Sequence, residues 1–293
     1  MRTKSNLLLL MVALIWGTAF IAQGVAGQHH IATLFNGLCF IIASVILVPF
    51  YPVNSPGSRT LKGRFSFLKD RTQLKWMVIA GAVLFAATAL QQIGILTTQV
   101  ANAGFITSLY IVFTPILLWI FYRERPHWID FFAVTIACVG AFLLSTQGTL
   151  TLHRGDTLEF VGSIFWAIHF VILAKIAFRY DSIAFASGHF FVAGIFNLIV
   201  GLVTENSSAL MHTPVILAIV YRASLSIGIG YTIQVWGQKY TPPTDAALIL
   251  GLESIFAAIA GWIALDQILS PLQIGGCFAI FGGVLISQFK PQR

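Results

Sequence analysis

Residues 246–265 read AALILGLESIFAAIAGWIAL, twenty consecutive positions that carry one charged side chain, Glu253, near their middle. A helix of about 20 apolar residues matches the thickness of the hydrocarbon core of a bilayer. Asp245 and Asp266 bound the stretch. It therefore predicts a transmembrane helix with an acidic group at membrane depth.

The whole chain has the composition of a membrane protein. It contains 293 residues, of which 57% are hydrophobic and only 9% are charged, whereas about a quarter of the residues of a soluble domain are charged. This balance excludes a cytosolic enzyme, a secreted disulfide scaffold and a nucleic-acid binder. Cys39, Cys138 and Cys277 lie in apolar runs without metal-ligand spacing, so no disulfide, metal site or cofactor is expected.

Similar apolar runs predict ten transmembrane helices. Their expected bounds are 5–25, 31–51, 76–96, 101–122, 127–146, 157–178, 182–203, 214–237, 243–265 and 271–289. The first run is expected to stay as a span, because no convincing signal-peptide cleavage site follows it.

The basic residues predict the orientation of these helices. With the N-terminus in the cytoplasm, fifteen Lys and Arg residues fall on the cytoplasmic side, Arg154 falls outside, and Arg222 falls in the membrane. The positive-inside rule then predicts a multi-pass protein of the plasma membrane, the inner membrane in bacteria, with both termini cytoplasmic.

The two halves of the chain resemble each other. An offset of 150 residues pairs Trp16 with Trp166, and downstream an offset of 143 pairs equivalent residues. The pairs at 143 include Gln91 with Gln234, Gly94 with Gly237, Tyr110 with Glu253, and Gly140 with Gly283. Each unit has five helices, an odd number, so the second must enter the membrane inverted. The predicted fold is an all-α integral membrane protein of ten transmembrane helices in two inverted five-helix repeats, at 5–146 and 155–289.

Several stretches carry a resemblance to a known family. They are FWAIHF at 165–170, the run from Gln91 through AGFI at 103–106 to TP at 114–115 and RERP at 123–126, and AALILGLESIFA at 246–257. They resemble the EamA family of the drug/metabolite transporter superfamily, as two tandem units over nearly the whole chain. The resemblance implies ten helices, cytoplasmic termini and export or uptake of small organic metabolites, commonly amino acids, nucleobases or related compounds.

Two positions depart from the family pattern. Glu253-Ser254 stands where the family has Glu-Pro in the ninth helix, so no proline-induced bend is expected there. Asp266-Gln267 stands where the second unit has Gly-Glu, whereas the first unit keeps its glutamate as Glu124.

Ionisable residues inside the spans are candidate functional residues, because a charge at the bilayer centre costs at least ~2.5–3.5 kcal/mol. Glu253 is either a proton-coupling or substrate-amine site or a structural carboxyl. Arg222 either neutralises Glu253 permanently, holds a substrate carboxylate or phosphate through its planar fork, or reaches the outer interface. His169 and His189 are either hydrogen-bonded core residues or part of a proton path.

Neutral groups complete the expected site. Trp16 and Trp166 are either packing residues or aromatic walls of a pocket. The polar residues that need partners at membrane depth are Asn36, Gln91, Tyr110 and Gln234. Helices three, four, eight and nine, with the middle of helices one and six, are expected to surround a central pocket near the pseudo-two-fold axis.

These features favour a secondary-active transporter of small organic metabolites that works by alternating access, with proton coupling through Glu253 as a hypothesis. No intramembrane catalytic motif is present in the sequence, so no enzyme activity is expected. The alternative is a lipid or amphiphile flippase on the same fold, which a lateral opening of the pocket would favour. The expected partners are a small-molecule substrate and the lipid bilayer, not nucleic acid, with the chain as a monomer or homodimer.

Overall fold

The computed structural model of the protein describes residues 1–51, 66–98, 100–148, 153–265 and 268–289. Within these ranges the regular secondary structure is helical, without strands. Ten helices are long and apolar enough to cross a membrane, which confirms the predicted number. They are α1 Arg2–Gln28, α2 Thr33–Phe50, α3 Arg71–Ile95, α4 Ala103–Tyr122, α5 Trp128–Thr146, α6 Arg154–Arg179, α7 Ser182–Thr204, α8 Thr213–Gly237, α9 Pro243–Ile263 and α10 Pro271–Gln288.

The predicted bounds lie close to these ends, and the start of α3 differs most. The helix begins at Arg71 because the side chain of Asp70 accepts hydrogen bonds from the backbone N–H groups of Thr72 and Gln73, at 2.9 and 3.1 Å. This N-cap starts the helix at residue 71, before the predicted start at residue 76. Some residues used in the sequence analysis lie outside the described residues. They are five of the basic residues counted for the orientation and the pair that departs from the family pattern: Arg59, Lys62, Arg64, Lys290, Arg293, Asp266 and Gln267.

Three of the spans are interrupted. The segments of α4 are Val100–Ser108 and Tyr110–Tyr122, those of α9 are Pro243–Gly251 and Glu253–Leu265, and α8 contains a π-helix, Arg222–Tyr231, between Thr213–Tyr221 and Thr232–Gly237. Shorter 3₁₀ turns are Val48–Phe50, Ser66–Lys69, Ala177–Arg179 and Ser207–Met211.

The interruptions of α4 and α9 fall at equivalent positions, Leu109 and Leu252. In each case the leucine N–H donates to the carbonyl three residues earlier, Ile106 at 3.1 Å and Ile249 at 3.2 Å. Helix α9 is therefore interrupted although Ser254 stands in place of the family's proline, and the absence of a proline-induced bend stays a prediction. A local i→i−3 tightening interrupts a helix without any proline.

Contacts between helix termini define the two ends of the bundle. At the end where α1 begins, called the proximal end, Arg2 forms a 2.9 Å ion pair with Asp245 at the start of α9. At the opposite, distal end, the Glu205 carboxylate accepts bonds from the first backbone N–H groups of α2. Thr98, which follows α3 at this end, donates to Asp156 at the start of α6. The first helices of the two halves thus begin at opposite ends.

The contacts between helices follow the two halves of the chain: when each helix is replaced by its equivalent in the other half, five positions along, the same pairs or their counterparts are in contact. Helix α2 packs on α7, α5 on α10, α3 on α6, and α1 on α8. At the α5–α10 crossing a Cβ atom added at Gly140 would lie 2.6 Å from the Gly276 carbonyl oxygen, and one added at Gly283 would lie 2.6 Å from that of Ala133. Such glycines allow close helix contact in a bilayer. This pairing is consistent with the inverted repeat, which stays a prediction.

Candidate functional site

A central cavity lies between α1, α3, α4, α6, α8 and α9, with an empty volume of about 450 Å³. Most of its wall residues are buried, but the cavity is partly open, and its volume includes some of the space at its opening. Its walls are formed by Trp16, Ala19, Phe20, Gln23, Gln91, Thr107, Tyr110, Trp166, Phe170, Arg222, Ser226, Tyr231 and Glu253.

Aromatic rings form much of the cavity wall. Tyr231 lies between the two repeat-related tryptophans, with ring centroids 4.6 Å from Trp16 and 6.1 Å from Trp166. The ring of Tyr110 stacks on that of Phe170, with a centroid distance of 4.9 Å and an interplanar angle of 17°. These rings make a rigid apolar surface that suits the carbon skeleton of a small organic molecule.

The π-helix of α8 positions Trp16. The indole N–H of Trp16 donates to the Ser226 carbonyl at 3.0 Å. A Cβ atom at Gly230 would lie 2.7 Å from the same indole nitrogen, so the glycine leaves room for the ring. Isolated π-helical turns occur frequently at functional sites, and this one contains the Gly228-Ile229-Gly230 sequence.

Glu253 lies at the interruption of α9, and Tyr110 lies at that of α4. Each is the first residue of the second helical segment, and the Tyr110 hydroxyl donates to Glu253 Oε1 at 3.3 Å. The two equivalent interruptions thus bring together two of the predicted site residues.

Arg222 lies on the cavity wall with 4% of its surface exposed. One of its Nη atoms donates to Asn36 Oδ1, and its guanidinium lies 5.2 Å from the centre of the Phe35 ring. The amide of Asn36 is fixed in turn by a 3.1 Å bond to the Thr88 carbonyl. Arg222 is therefore buried and does not reach the interface.

Arg222 and Glu253 do not form an ion pair. Among the described residues, the acidic partners within 4.0 Å of a basic nitrogen are Asp245, Asp156 and Glu124. The alternative of a permanent Arg222–Glu253 pair is thus not what this structure contains. Both side chains line the same cavity.

Three of the predicted site residues do not line the cavity. Asn36 lies behind Arg222, and His169 and Gln234 are fully buried in the packing. The ring of His169 lies 5.5 Å from that of His189. Within the described part of the chain, neither ring nitrogen of His169 and neither amide atom of Gln234 has a hydrogen-bond partner.

The structure adds residues that the sequence argument did not identify. Tyr231, Phe170, Ser226 and Thr107 line the cavity, and no sequence signal separates them from other residues of their helices. Glu159 is fully buried in α6. Glu159 lies inside the predicted span 157–178, which could have identified it as an intramembrane carboxyl. It was not identified because it lies near the start of that span, where a carboxyl is less unusual.

Ten candidate spans in the described residues, with a cavity that holds charged and aromatic side chains and interrupted helices beside it, have the architecture of membrane transporters. Residues 3–146 and 153–289 each match the model of the EamA-like transporter family. The chain belongs to this family, as its motifs implied.

Its relatives include named transporters. A protein of Archaeoglobus fulgidus called "Uncharacterized transporter" is 30% identical over 99% of this chain and 87% of its own length. The threonine/homoserine exporter RhtA of Escherichia coli K12 is 26% identical over 61% of this chain and 60% of its own. One crystal structure of a protein matches with a TM-score of 0.80 over 99% of both chains at 15% identity, which supports the fold.

Proposed function

We propose that this protein is a proton-coupled secondary transporter that moves small zwitterionic metabolites of the amino-acid type across a membrane by alternating access. The observation that carries the proposal is a cavity between the helices with Arg222 and Glu253 on its walls and no ion pair between them. An α-amino acid carries a carboxylate and an ammonium group on one carbon atom. Separate cationic and anionic groups in one cavity complement both charges.

Arg222 is the group for the substrate carboxylate. A guanidinium has five N–H donors in a planar fork, and the one bond identified to Asn36 holds the fork in place. The remaining donors suit a planar carboxylate, for which charge-assisted bidentate bonds are strong and directional.

Glu253 is the group for either the substrate ammonium or a proton. Tyr110 donates to one of its oxygens, which leaves the second oxygen for a cation. A carboxyl that holds a proton or a substrate, but not both, exchanges one for the other, so proton flow in one direction drives substrate in the other. This mechanism is export by proton antiport, and the name of the relative RhtA agrees with it in substrate class and direction.

Interrupted helices supply the conformational change. Regular i→i−4 bonding is interrupted at Leu109, at Leu252 and along the π-helix of α8. A helix bends more readily at such a point than where its bonding is continuous. All three interruptions adjoin the cavity, so movement at these points would alter access to it.

The orientation that fits the charge distribution places both termini in the cytoplasm of a plasma membrane, the inner membrane in bacteria. The proximal end is then cytoplasmic and the distal end faces outward. Transport, not catalysis, is the activity of this site. A flippase on the same fold would need the cavity to open sideways to lipid, and movement of a fluorescent phospholipid is the result that would favour it.

Uptake into proteoliposomes tests the proposal. The panel is L-threonine, L-homoserine, a neutral nucleobase (uracil) and a dicarboxylate (succinate), each with and without an acidic lumen. We expect the two amino acids to accumulate only when the lumen is acidic, since protons then leave as substrate enters. Accumulation of uracil or succinate without the amino acids would contradict the proposal that the substrate is a zwitterion. Movement of a fluorescent phospholipid with none of the four solutes would contradict it as well.

A further inference from the structure

Glu159 is a second buried carboxyl group beside the cavity. It lies in α6 with no measurable exposure, and its Oε2 accepts a 2.8 Å hydrogen bond from the Thr107 hydroxyl. Its Oε1 has no hydrogen-bond partner among the described residues. In that same part of the chain no Lys, Arg or His nitrogen lies within ion-pair distance of it. A carboxylate buried in this way lacks a compensating charge, whereas a protonated carboxyl does not need one.

One hydroxyl group separates Glu159 from the cavity. Thr107 lines the cavity and also accepts a 3.4 Å bond from the side-chain amide of Gln91, another wall residue. A substrate ammonium cannot reach Glu159 past these residues, because Glu159 itself has no exposed surface. A proton can reach it through the Thr107 hydroxyl.

The repeat provides an internal comparison that argues against a packing role. A Cβ atom at Gly94 would lie 2.8 Å from Glu159 Oε1, and one at the equivalent Gly237 would lie 3.0 Å from Leu9 Cδ2. Leu9 and Glu159 are equivalent at the offset of 150 that pairs the two tryptophans. The fold therefore fills this position with leucine in one half, so packing does not require a carboxyl group there.

The neighbours of Glu159 differ between the halves in the same way. Thr107 is equivalent to Leu250 at the offset of 143, and Gln91 is equivalent to Gln234. Gln91 donates to Thr107, whereas neither amide atom of Gln234 has a partner among the described residues. Among the described residues, the equivalent positions Gln234, Leu250 and Leu9 form no such polar link.

The groups facing Glu159 lead toward the distal end. Helix α3 presents Gly94 and α4 presents Thr107, neither of which titrates. Asp156, one turn earlier on α6, is an ionisable group that interacts electrostatically with Glu159. The Asp156 carboxylate accepts hydrogen bonds from the Thr98 hydroxyl and the His153 backbone N–H. Asp156 and His153 mark the start of α6 at the distal end.

We propose that Glu159 is a second proton-binding group of the transporter, which exchanges protons between the distal end and the cavity. The inference rests on the proposed proton antiport and adds the route on the distal side. In the exchange, the Thr107 hydroxyl, which here donates to Glu159 Oε2, turns toward the cavity. Its proton passes to an acceptor there while its oxygen takes the proton of Glu159, so that Thr107 is unchanged. Glu253 is the carboxyl on the cavity wall that can act as the acceptor.

Right-side-out membrane vesicles loaded with ¹⁴C-labelled L-threonine test this inference. Efflux is measured while the external pH is varied at fixed internal pH, because the distal end faces the medium. We expect efflux by the wild-type protein to accelerate as the external pH falls. E159Q should lose this dependence yet keep exchange of labelled for unlabelled threonine. The matched control E124Q makes the same replacement at the proximal end and should behave as wild type.

The outcomes separate the two proposals. If the wild-type protein shows no response to external pH, or does not carry L-threonine, the proposed antiport fails. If the wild type responds and E159Q keeps the same external-pH profile, the assignment of Glu159 is overturned and the antiport stands. If E159Q does not reach the membrane, T107V replaces it, because this variant keeps the carboxyl but removes the linking hydroxyl. A wild-type dependence of efflux on external pH in T107V overturns the inference, and a flat dependence supports it.

Discussion

Replacing Arg222 by glutamine should weaken binding of substrates that carry a carboxylate, and only of those. Arg222 is held by Asn36 and lies over the Phe35 ring, so its position does not depend on Glu253. A hydrogen bond to a charged group contributes about 1.5–3 kcal/mol, which corresponds to roughly 10- to 150-fold in affinity. R222Q should therefore raise the dissociation constant of L-threonine by roughly that factor.

The assay compares two ligands that differ in one group. Binding of L-threonine and of L-threoninol, in which CH₂OH replaces the carboxylate, is followed by the fluorescence of Trp16 and Trp166, which form the cavity wall. L-Threoninol should bind the wild-type protein and R222Q equally. R222K keeps the charge without the planar fork and should fall between the two.

Equal weakening of both ligands by R222Q would mean that Arg222 supports the structure of the cavity and does not contact the carboxylate. Unchanged affinity for L-threonine would remove Arg222 from the site altogether. Size-exclusion profiles of each variant in detergent identify loss of folding.

Three further predictions concern the framework of the site. Gly230→Ala should displace the Trp16 indole and break its bond to the α8 backbone, weakening L-threonine binding by about 1–3 kcal/mol in the fluorescence titration. Glu205→Ala should leave the start of α2 uncapped and lower stability by about 2 kcal/mol, measured as a decrease in the thermal unfolding midpoint in detergent. A topology reporter inserted in the 204–212 connection should be active outside the cytoplasm, and one fused after Arg293 should be active inside.

Each of these predictions has a defined contrary result. Gly282→Ala is the matched control for the first, because an added Cβ there meets nothing within 4 Å; equal effects of the two alanines would dismiss the steric argument. An unchanged unfolding midpoint of E205A would show that water replaces the cap. Reporters active on the same side would contradict the three spans, α8, α9 and α10, that lie between this connection and residue 289.

The ten spans and the helices around the cavity were accessible to sequence reasoning because they depend on local properties. Apolar length predicts a span, and an offset between paired tryptophans and glutamines predicts which helices are equivalent. Glu253 stood out because a charge in the middle of an apolar run has a large free-energy penalty.

Other features depend on contacts that no local pattern encodes. Asn36 and Arg222 are 186 positions apart, and nothing in either helix predicts that their side chains meet. The interruption of α9 was missed because proline was taken as its cause, whereas the structure has an i→i−3 bond at Leu252. Glu159 was missed because depth in a membrane was judged from the position in the span, not from the residues that cover it.

Gradient-driven uptake by a Glu253→Gln variant tests the central claim most directly. Proteoliposomes with an acidic lumen are compared for accumulation of labelled L-threonine and for exchange between labelled and unlabelled L-threonine. The carboxyl is needed for the exchange of proton for substrate, but substrate-for-substrate exchange needs no proton. We therefore expect E253Q to be present in the vesicles and to accumulate no substrate. It should still exchange substrate, at a raised substrate concentration because the substrate ammonium has lost its carboxylate partner. Normal accumulation by a well-incorporated E253Q protein would contradict the account and leave Glu253 with a structural role only.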